Sequence, residues 1–292
     1  MSYGDHLVLR EQSRRLAAAA GSYVSKRVMT VLIRRGGWPL PVRLLERLRT
    51  FASYALGAGS ANLPVGESGE TKLLEHFAHL WRRRDTITVV DVGANRGAYT
   101  EAVRAAFGGR AWIDCFEPDP GSFEALERQI AGDVQIRCHR LALGAAPGTA
   151  RLYTNRSGSP LASLLAESFE VADVSAAGSE EVQVETLDRI AERFGLEQID
   201  LLKIDVEGHE LAVLGGAREL LKRGVIAVVQ FEFGMRNLAS RTYLRDFVTL
   251  LGADYELYRI GPRGLSRLEY DPGREMFLEE TNYAAVRRDA NG

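Results

Sequence analysis

The 292-residue chain is 46% hydrophobic and 26% charged, the balance of a globular protein with a sizeable core, and its 37 Lys and Arg against 39 Asp and Glu leave a net charge of −2. Near-neutrality gives no global positive field for a nucleic-acid backbone, so no nucleic-acid partner is expected. Two cysteines, Cys115 and Cys138, are too few for a disulfide framework or a thiolate zinc cluster, and no apolar run approaches the roughly 20 residues that cross a bilayer, so the expected location is the cytoplasm.

Charge is spread unevenly. Residues 1–50 carry ten Lys and Arg against three Asp and Glu, a local net charge of +7 against −9 for the remainder. Arg14-Arg15 followed by Leu16 to Ala20 imitates a secretion signal only faintly. The helical spacing of Leu16, Tyr23, Val24, Val28, Val31 and Leu32 predicts a basic helical N-terminal extension, residues 1–65. Such a helix packs on the main domain, on a second subunit of a homo-oligomer, or on an anionic membrane surface as a peripheral contact.

Gly57 to Gly69 is rich in chain breakers and reads as a linker or loop, and the main domain is placed at residues 66–292. Glu70 to Arg84 puts Leu73, Leu74, Phe77, Leu80 and Trp81 on one helical face. Short β-branched runs follow at Thr86–Val92, Trp112–Phe116, Val134–Cys138, Ile199–Ile204, Val225–Glu232, Tyr255–Ile260 and Tyr283–Val286, the earlier ones separated by helical stretches such as Leu211–Lys222. Nearly continuous apolar strands alternating with helices predict an α/β doubly wound domain, a parallel sheet covered on both faces. Thr149–Thr154 and Val182–Val184 add a strand pair around a Ser/Ala-rich stretch, Asn155 to Glu180, which reads as a lid or an insertion.

The first strand runs into Asp91-Val-Gly-Ala-Asn-Arg-Gly97 and a helix opens directly after it. Gly93 and Gly97 permit a sharp turn and close approach of a ligand, while Asp91, Asn95 and the helix N-terminus bring polar groups to the carboxyl edge of the sheet. The second strand ends at Glu117, about twenty residues beyond the loop, where an acid accepts hydrogen bonds from both hydroxyls of a ribose. The loop lacks the Gly-x-Gly-x-x-Gly pattern that cradles a pyrophosphate. An acidic, tight loop suits a cationic or zwitterionic nucleoside without phosphate.

These segments, with Phe116-Glu-Pro-Asp-Pro120, Leu141-Ala-Leu-Gly144, Val184-Glu-Thr-Leu-Asp188 and Leu202-Lys-Ile-Asp-Val-Glu-Gly-His-Glu210, resemble the FkbM family of S-adenosylmethionine-dependent methyltransferases over roughly residues 70–287. The resemblance implies a Rossmann-like class I fold: a seven-stranded, mostly parallel sheet with helices on both faces and a reversed final strand. It implies that S-adenosylmethionine lies over Gly93 to Gly97 beside Asp91, Asn95 and Asp205, with its ribose on Glu117 and its adenine framed near Leu141 and Ala142.

The fourth strand ends in four ionisable groups within six residues, Asp205, Glu207, His209 and Glu210. At the carboxyl edge of a central strand, Asp205 and the following loop face the transferable methyl. Glu210 reads instead as a helix-start carboxylate without chemistry. Methyl transfer from a sulfonium to an alcohol leaves the acceptor's proton to be removed, and two routes are open. His209, with a solution pKa near ~6.5, takes the proton with Asp205 or Glu207 orienting the ring. Alternatively Asp205 and Glu232, which ends the fifth strand, hold Mg²⁺ against the hydroxyl. The metal-free route is the expectation, so no metal ligand is assigned. Arg236, Arg241, Tyr243, Arg245, Tyr258, Arg259 and Tyr270, with Asn282, suit a hydroxylated acceptor.

The function expected is an O-methyltransferase acting on a hydroxyl of a sugar, glycan or polyketide-type natural product. Nucleic-acid methylation gains only the basic first 50 residues, and a non-catalytic S-adenosylmethionine-binding scaffold requires a purely structural Asp205–His209 region.

Overall fold

A computed structural model describes residues 27, 30, 41–55, 57–155, 161–171, 173–272 and 279–289. The helical pattern expected from Leu16 to Leu32 lies outside them. The chain divides into two compact units, residues 1–52 and 53–292. The second begins at Ser53, ahead of the 65/66 boundary expected from the sequence. Helix α1 (Val42–Ala55) is amphipathic, with Leu44, Leu48 and Phe51 exposed along one side and Arg43, Arg47 and Arg49 around them. Among the described residues no helix is long and apolar enough to cross a membrane.

Two further helices precede the sheet, the single turn α2 (Val65–Ser68) and α3 (Glu70–Leu80). The sheet then builds from β1 (Ile87–Val92), β2 (Ala111–Phe116), β3 (Ile136–His139), β7 (Ile199–Ile204), β8 (Ile226–Phe233), β9 (Tyr255–Gly261), β10 (Gly264–Arg267) and β11 (Thr281–Arg287). Their order across the sheet is β10-β9-β11-β8-β7-β1-β2-β3. β3, β2, β1, β7 and β8 are mutually parallel, and β11 inserts antiparallel between β8 and β9. That is the expected seven-stranded sheet with its reversed final strand. An eighth strand, β10, folds back on β9 through a tight turn at residues 262–263 and widens the edge.

Alternation along the strands supplies two cores. Val90, Val92, Leu202, Ile204, Val229 and Phe231 face the layer made by α7 (Leu187–Phe194), α8 (Glu210–Gly215), α9 (Arg218–Arg223) and α10 (Leu244–Leu251), where the Phe231 and Phe247 rings stack at 4.4 Å. Ile87, Val89, Ile113, Leu201 and Val228 face the other layer, α3, α4 (Ala98–Phe107) and α5 (Pro120–Gln129), through Leu73, Phe77, Tyr99, Val103 and Leu126. Period-2 alternation on strands covered on both sides is what their continuous apolar character required. Local chemistry sets the helix starts: Asp119 accepts from the Ser122 amide at 2.7 Å with Pro120 in the first turn of α5, and Thr186 caps α7. The expected helix Leu211–Lys222 is two helices, α8 and α9, parted at Gly216 and Ala217 where the backbone passes against the Gly144 carbonyl.

A second sheet, β4 (Ala142–Leu143), β6 (Gly178–Glu185) and β5 (Gly148–Thr154), holds the expected strand pair in antiparallel register. Between its two long strands lies α6 (Glu167–Val171).

The breaker-rich stretch before α3 is not a free linker. Ser60 Oγ donates to the Ile260 carbonyl at 2.9 Å, the Gly59 amide to Thr281 Oγ1 at 3.2 Å, and Asn62 Nδ2 to Glu280 Oε2 at 3.3 Å. Gly69 has φ 99 and lies against the Gly261 backbone, where any Cβ would overlap the Gly261 carbonyl. Gly69→Ala therefore meets both backbone strain and a backbone collision, and should lower unfolding free energy by more than about 1 kcal/mol in denaturant titration. Wild-type stability in that variant would mean the arm is not docked on β9.

Candidate active site

The strand register decides which residues meet. Asp91 pairs with Lys203, and Lys203 with Gln230, so one polar residue from each of β1, β7 and β8 stands at one level on the α3–α4 side. Two residues further along, side chains return to the same side. There Gly93, Glu117, Asp205 and Glu232 leave the ends of β1, β2, β7 and β8. A cavity of about 670 Å³ opens at this level, lined among others by Asn62, Glu70, Asn95, Tyr99, Glu117, Ala142, Asp205, Glu207, His209, Glu232, Arg236 and Asn282. Its volume falls in the range of small-molecule sites.

On the β1–β2 side, Glu117 is buried and accepts from the amides of Asn95 and Asp119, each at 2.8 Å. Each carboxylate oxygen keeps a lone pair for a ligand hydroxyl. Burial pushes its carboxyl up to about 7 against the pull of those two amides. Gly93 has φ 78, and a Cβ there would overlap the Asp205 carbonyl, so the turn and the β7 end close on each other. Gly97 precedes α4. Ala142, in β4, is buried and reaches the cavity from the second sheet. Asn95 Oδ1 is buried without a hydrogen-bond partner, whereas Asp91, expected to meet the cofactor, lies fully buried behind the turn, held by Thr100 at 2.8 Å and by Lys203, and is not among the lining residues. An unpaired buried acceptor beside a pre-formed turn is what a donor group of a nucleoside ligand would satisfy.

At the β7–β8 side, the Lys203 ammonium lies 3.2 Å from Asp205 Oδ2, 3.6 Å from Asp91 Oδ1 and 3.4 Å from the Gly93 carbonyl. Desolvation opposes ionisation of Asp205, but Lys203 and a hydrogen bond from Glu232 hold its carboxyl below the usual range. Burial and the Asp205 charge drive Glu232 well above it. The pair thus shares a proton, carried by Glu232. The following loop is clamped from both sides: Glu207 pairs with Arg236 Nε at 2.5 Å, and its carbonyl accepts from Ser163 and Ser168 at 3.0 and 3.3 Å. Burial raises Glu207 to about 8 despite Arg236. Arg236 Nη1 is buried without a partner.

His209 reaches the cavity, but neither Asp205 nor Glu207 orients its ring; those carboxylates are held by Lys203 and Arg236. Burial lowers its pKa, leaving a neutral imidazole beside Gly144. Glu210 is buried and structural, accepting from the amides of Val206 and Gly208 at 3.1 and 3.0 Å and from Asn237 Nδ2 at 2.7 Å. Of the arginines and tyrosines expected to meet an acceptor, Arg236 lines the cavity, whereas Tyr243 is exposed on the outer surface.

The residues do not fit Mg²⁺. A fixed ammonium beside Asp205 already supplies the positive charge and would repel a dication, and Glu232 holds a proton against the same carboxylate. Among the described residues no group of three or more His, Cys, Asp or Glu side chains is arranged to hold a metal ion.

Sequence reasoning missed Lys203, Gln230 and Glu70. Gln230 Nε2 donates to Glu70 Oε1 at 2.6 Å, Tyr99 donates to Gln230 Oε1 at 2.7 Å, and Ser68 donates to Glu70 Oε2 at 2.8 Å. A lysine and a glutamine inside otherwise apolar strands were the available signal.

An open sheet with a cavity across the carboxyl ends of its central strands, a glycine turn after β1 and an acid after β2 defines a Rossmann-like class I methyltransferase fold. The Methyltransferase FkbM domain matches residues 91–259, and the chain belongs to that family. Methyltransferase 1 of Beauveria bassiana is 30% identical over 156 residues, 45% of this chain and 59% of that protein. Hexuronic acid methyltransferase AglP of Haloferax volcanii is 27% identical over 257 residues, 76% of this chain and 98% of that protein. The chain spans about three fifths of the length of Methyltransferase 1 and of methyltransferase sdnD of Sordaria araneosa. A crystal structure of methyltransferase FkbM from Methylobacillus flagellatus is 18% identical, with 69% of this chain and 44% of that one covered at a TM-score of 0.45.

Two measurements probe the site without a ligand. Glu117 binds its proton more tightly in the folded state than at its ordinary value of 4.5, so its contribution to stability is complete below 4.5 and is lost as pH rises through about 7. Denaturant unfolding at about pH 5 and about pH 8 should show that loss in the wild type and a smaller one in Glu117→Gln. Glu210→Ala strands three donors and should cost about 1–3 kcal/mol or more in the same assay; an unchanged midpoint would contradict a structural role.

Proposed function

We propose that this chain is an S-adenosylmethionine-dependent O-methyltransferase whose acceptor is a hydroxyl of a sugar, glycan or polyketide-type natural product. The observation that carries the reading is the shared level of Gly93, Glu117, Asp205 and Glu232 along one cavity, which sets a ribose-type acceptor at one end and a carboxyl pair at the other. When bound, S-adenosylmethionine supplies an electrophilic methyl on a sulfonium. Glu117 would hold the ribose, Asn95 Oδ1 a donor group of the ligand, and Ala142 the adenine edge, while Asp91 would act from behind the turn through Lys203.

The remaining chemistry belongs to the chain. In-line displacement is governed by placement of the acceptor hydroxyl, and the position of the Asp205–Glu232 pair in the cavity lining supports its assignment as the group that takes the hydroxyl proton. Asp205, kept anionic by Lys203, accepts the hydroxyl proton, and the protonated Glu232 holds Asp205 in position. Arg236 Nη1 and Asn282 offer donors to further oxygens of a polyol. His209 is the second candidate base, neutral at pH 7 and lining the same cavity.

The test combines labelled S-adenosylmethionine with a panel of glycans, glycolipids and polyketide-type alcohols, with an RNA oligonucleotide for comparison. Glu117→Ala should weaken cofactor binding by about ten- to a hundredfold in calorimetry. On the responding acceptor, Asp205→Asn should lower turnover by roughly 10²- to 10⁴-fold with cofactor binding retained, and His209→Ala should do far less. The opposite ranking assigns the proton to His209. Transfer to RNA alone would discard the sugar, glycan or polyketide-type acceptor.

A further inference from the structure

Lys203 is buried in the middle of the sheet with 5% of its surface exposed. An ammonium in that position is strongly unfavourable unless paired and hydrogen-bonded. Its place follows from two independent spacings. The β1–β7 register puts it beside Asp91, and its own strand puts Asp205 two residues on, on the same side. Both carboxylates approach it, as does the Gly93 carbonyl, and the Tyr99 ring lies 5.3 Å beneath the nitrogen. One side chain therefore reaches the glycine turn, the acid below it on β1 and the acid at the end of β7.

We infer that Lys203 is a positioning residue of the methyl-transfer site, joining the cofactor turn to Asp205 so that the two ends of the cavity are set by one ammonium. The inference rests on the S-adenosylmethionine reading above. The groups facing Lys203 are Asp91 from β1, Glu117 after β2, Asp205 after β7, Glu70 from α3 and Tyr99 from α4, while Glu232 from β8 bonds Asp205 and Arg236 lies beyond it. Burial works against the charge on Lys203, but Asp205, Asp91 and Glu70 together raise its pKa, so it stays an ammonium throughout the range in which the enzyme is folded. No other cation touches Asp91 among the described residues; Arg236 is committed to Glu207.

Removing the ammonium while keeping apolar bulk has a distinctive consequence. In Lys203→Met, Asp91 and Asp205 lose the charge that lowers both their pKa values, so both hold protons to higher pH and the turn loses its tie. Raising the pH restores carboxylate charge, to which a defect of packing alone would not respond. A residue that only filled space would give a defect independent of pH.

The experiment measures S-adenosylhomocysteine binding to the full-length chain by calorimetry between about pH 6 and about pH 9. Relative to wild type at each pH, Lys203→Met should bind about ten- to a hundredfold more weakly at the acidic end, and the ratio should narrow as pH rises. Asp91→Asn should be weakened too, and the double variant Asp91→Asn/Lys203→Met should show far less than the product of the two single effects. The double variant leaves only Asp205, itself bonded by Glu232, without the ammonium, so it buries one unpaired carboxylate fewer than Lys203→Met and remains informative if that variant does not fold. Wild-type affinity in folded Lys203→Met, a ratio flat with pH, or wild-type affinity in the double variant would overturn the inference. Absence of S-adenosylhomocysteine binding by the wild type would defeat the cofactor reading itself, and this inference with it.

Discussion

The site depends on strand register. Five parallel strands are aligned so that positions of equal parity on β1, β2, β7 and β8 reach the carboxyl edge together. A slip of one residue in any of them would send its terminal acid to the opposite side of the sheet and an apolar neighbour into the cavity. The apolar rows that fix the register, Val90 and Leu202 on one side, Val89 and Leu201 on the other, are fully buried. Packing thereby determines the chemistry, because the same alternation that fills two cores places Glu117, Asp205 and Glu232 on one side.

Charge in the cavity follows from the same alignment. Glu70, Asp91, Glu117, Asp205, Glu207 and Glu232 are crowded against Lys203 and Arg236, and burial raises the carboxyl pKa of all of these acids except Asp205. Burial thus limits the negative charge that so many acids would otherwise gather around two cations.

What the sequence disclosed divides along physical lines. Strand runs, the glycine turn, Glu117 and the Asp205 loop were legible because each is a local pattern: period-2 apolarity, a breaker pair, an acid at a strand end. Glu210 was legible as structural from its place in the first turn of a helix. The row Asp91–Lys203–Gln230 was not, since Lys203 looks like a polar interruption until β7 is set against β1, and register between distant segments leaves no local trace. His209 was given an orienting carboxylate on proximity in sequence; the loop turns through Glu207, at φ 58, and delivers both carboxylates to cations instead. The stretch from Gly57 to Gly69 read as a linker because breakers mark turns without saying what the turns pack on.

That arm carries a consequence for the order of assembly. Its hydrogen bonds reach Ile260, Glu280 and Thr281 across 200, 218 and 222 residues of chain. One wall of the cavity is built from residues near the start of the unit, and its anchors come from β9 and from the start of β11. On a ribosome, the wall residues emerge early and wait for almost the whole domain to be synthesised before they can dock. Long-range closure of this kind is paid late in folding, after the local βα units have formed. The nucleoside end of the cavity, from β1 and β2, takes shape long before the acceptor end has a wall.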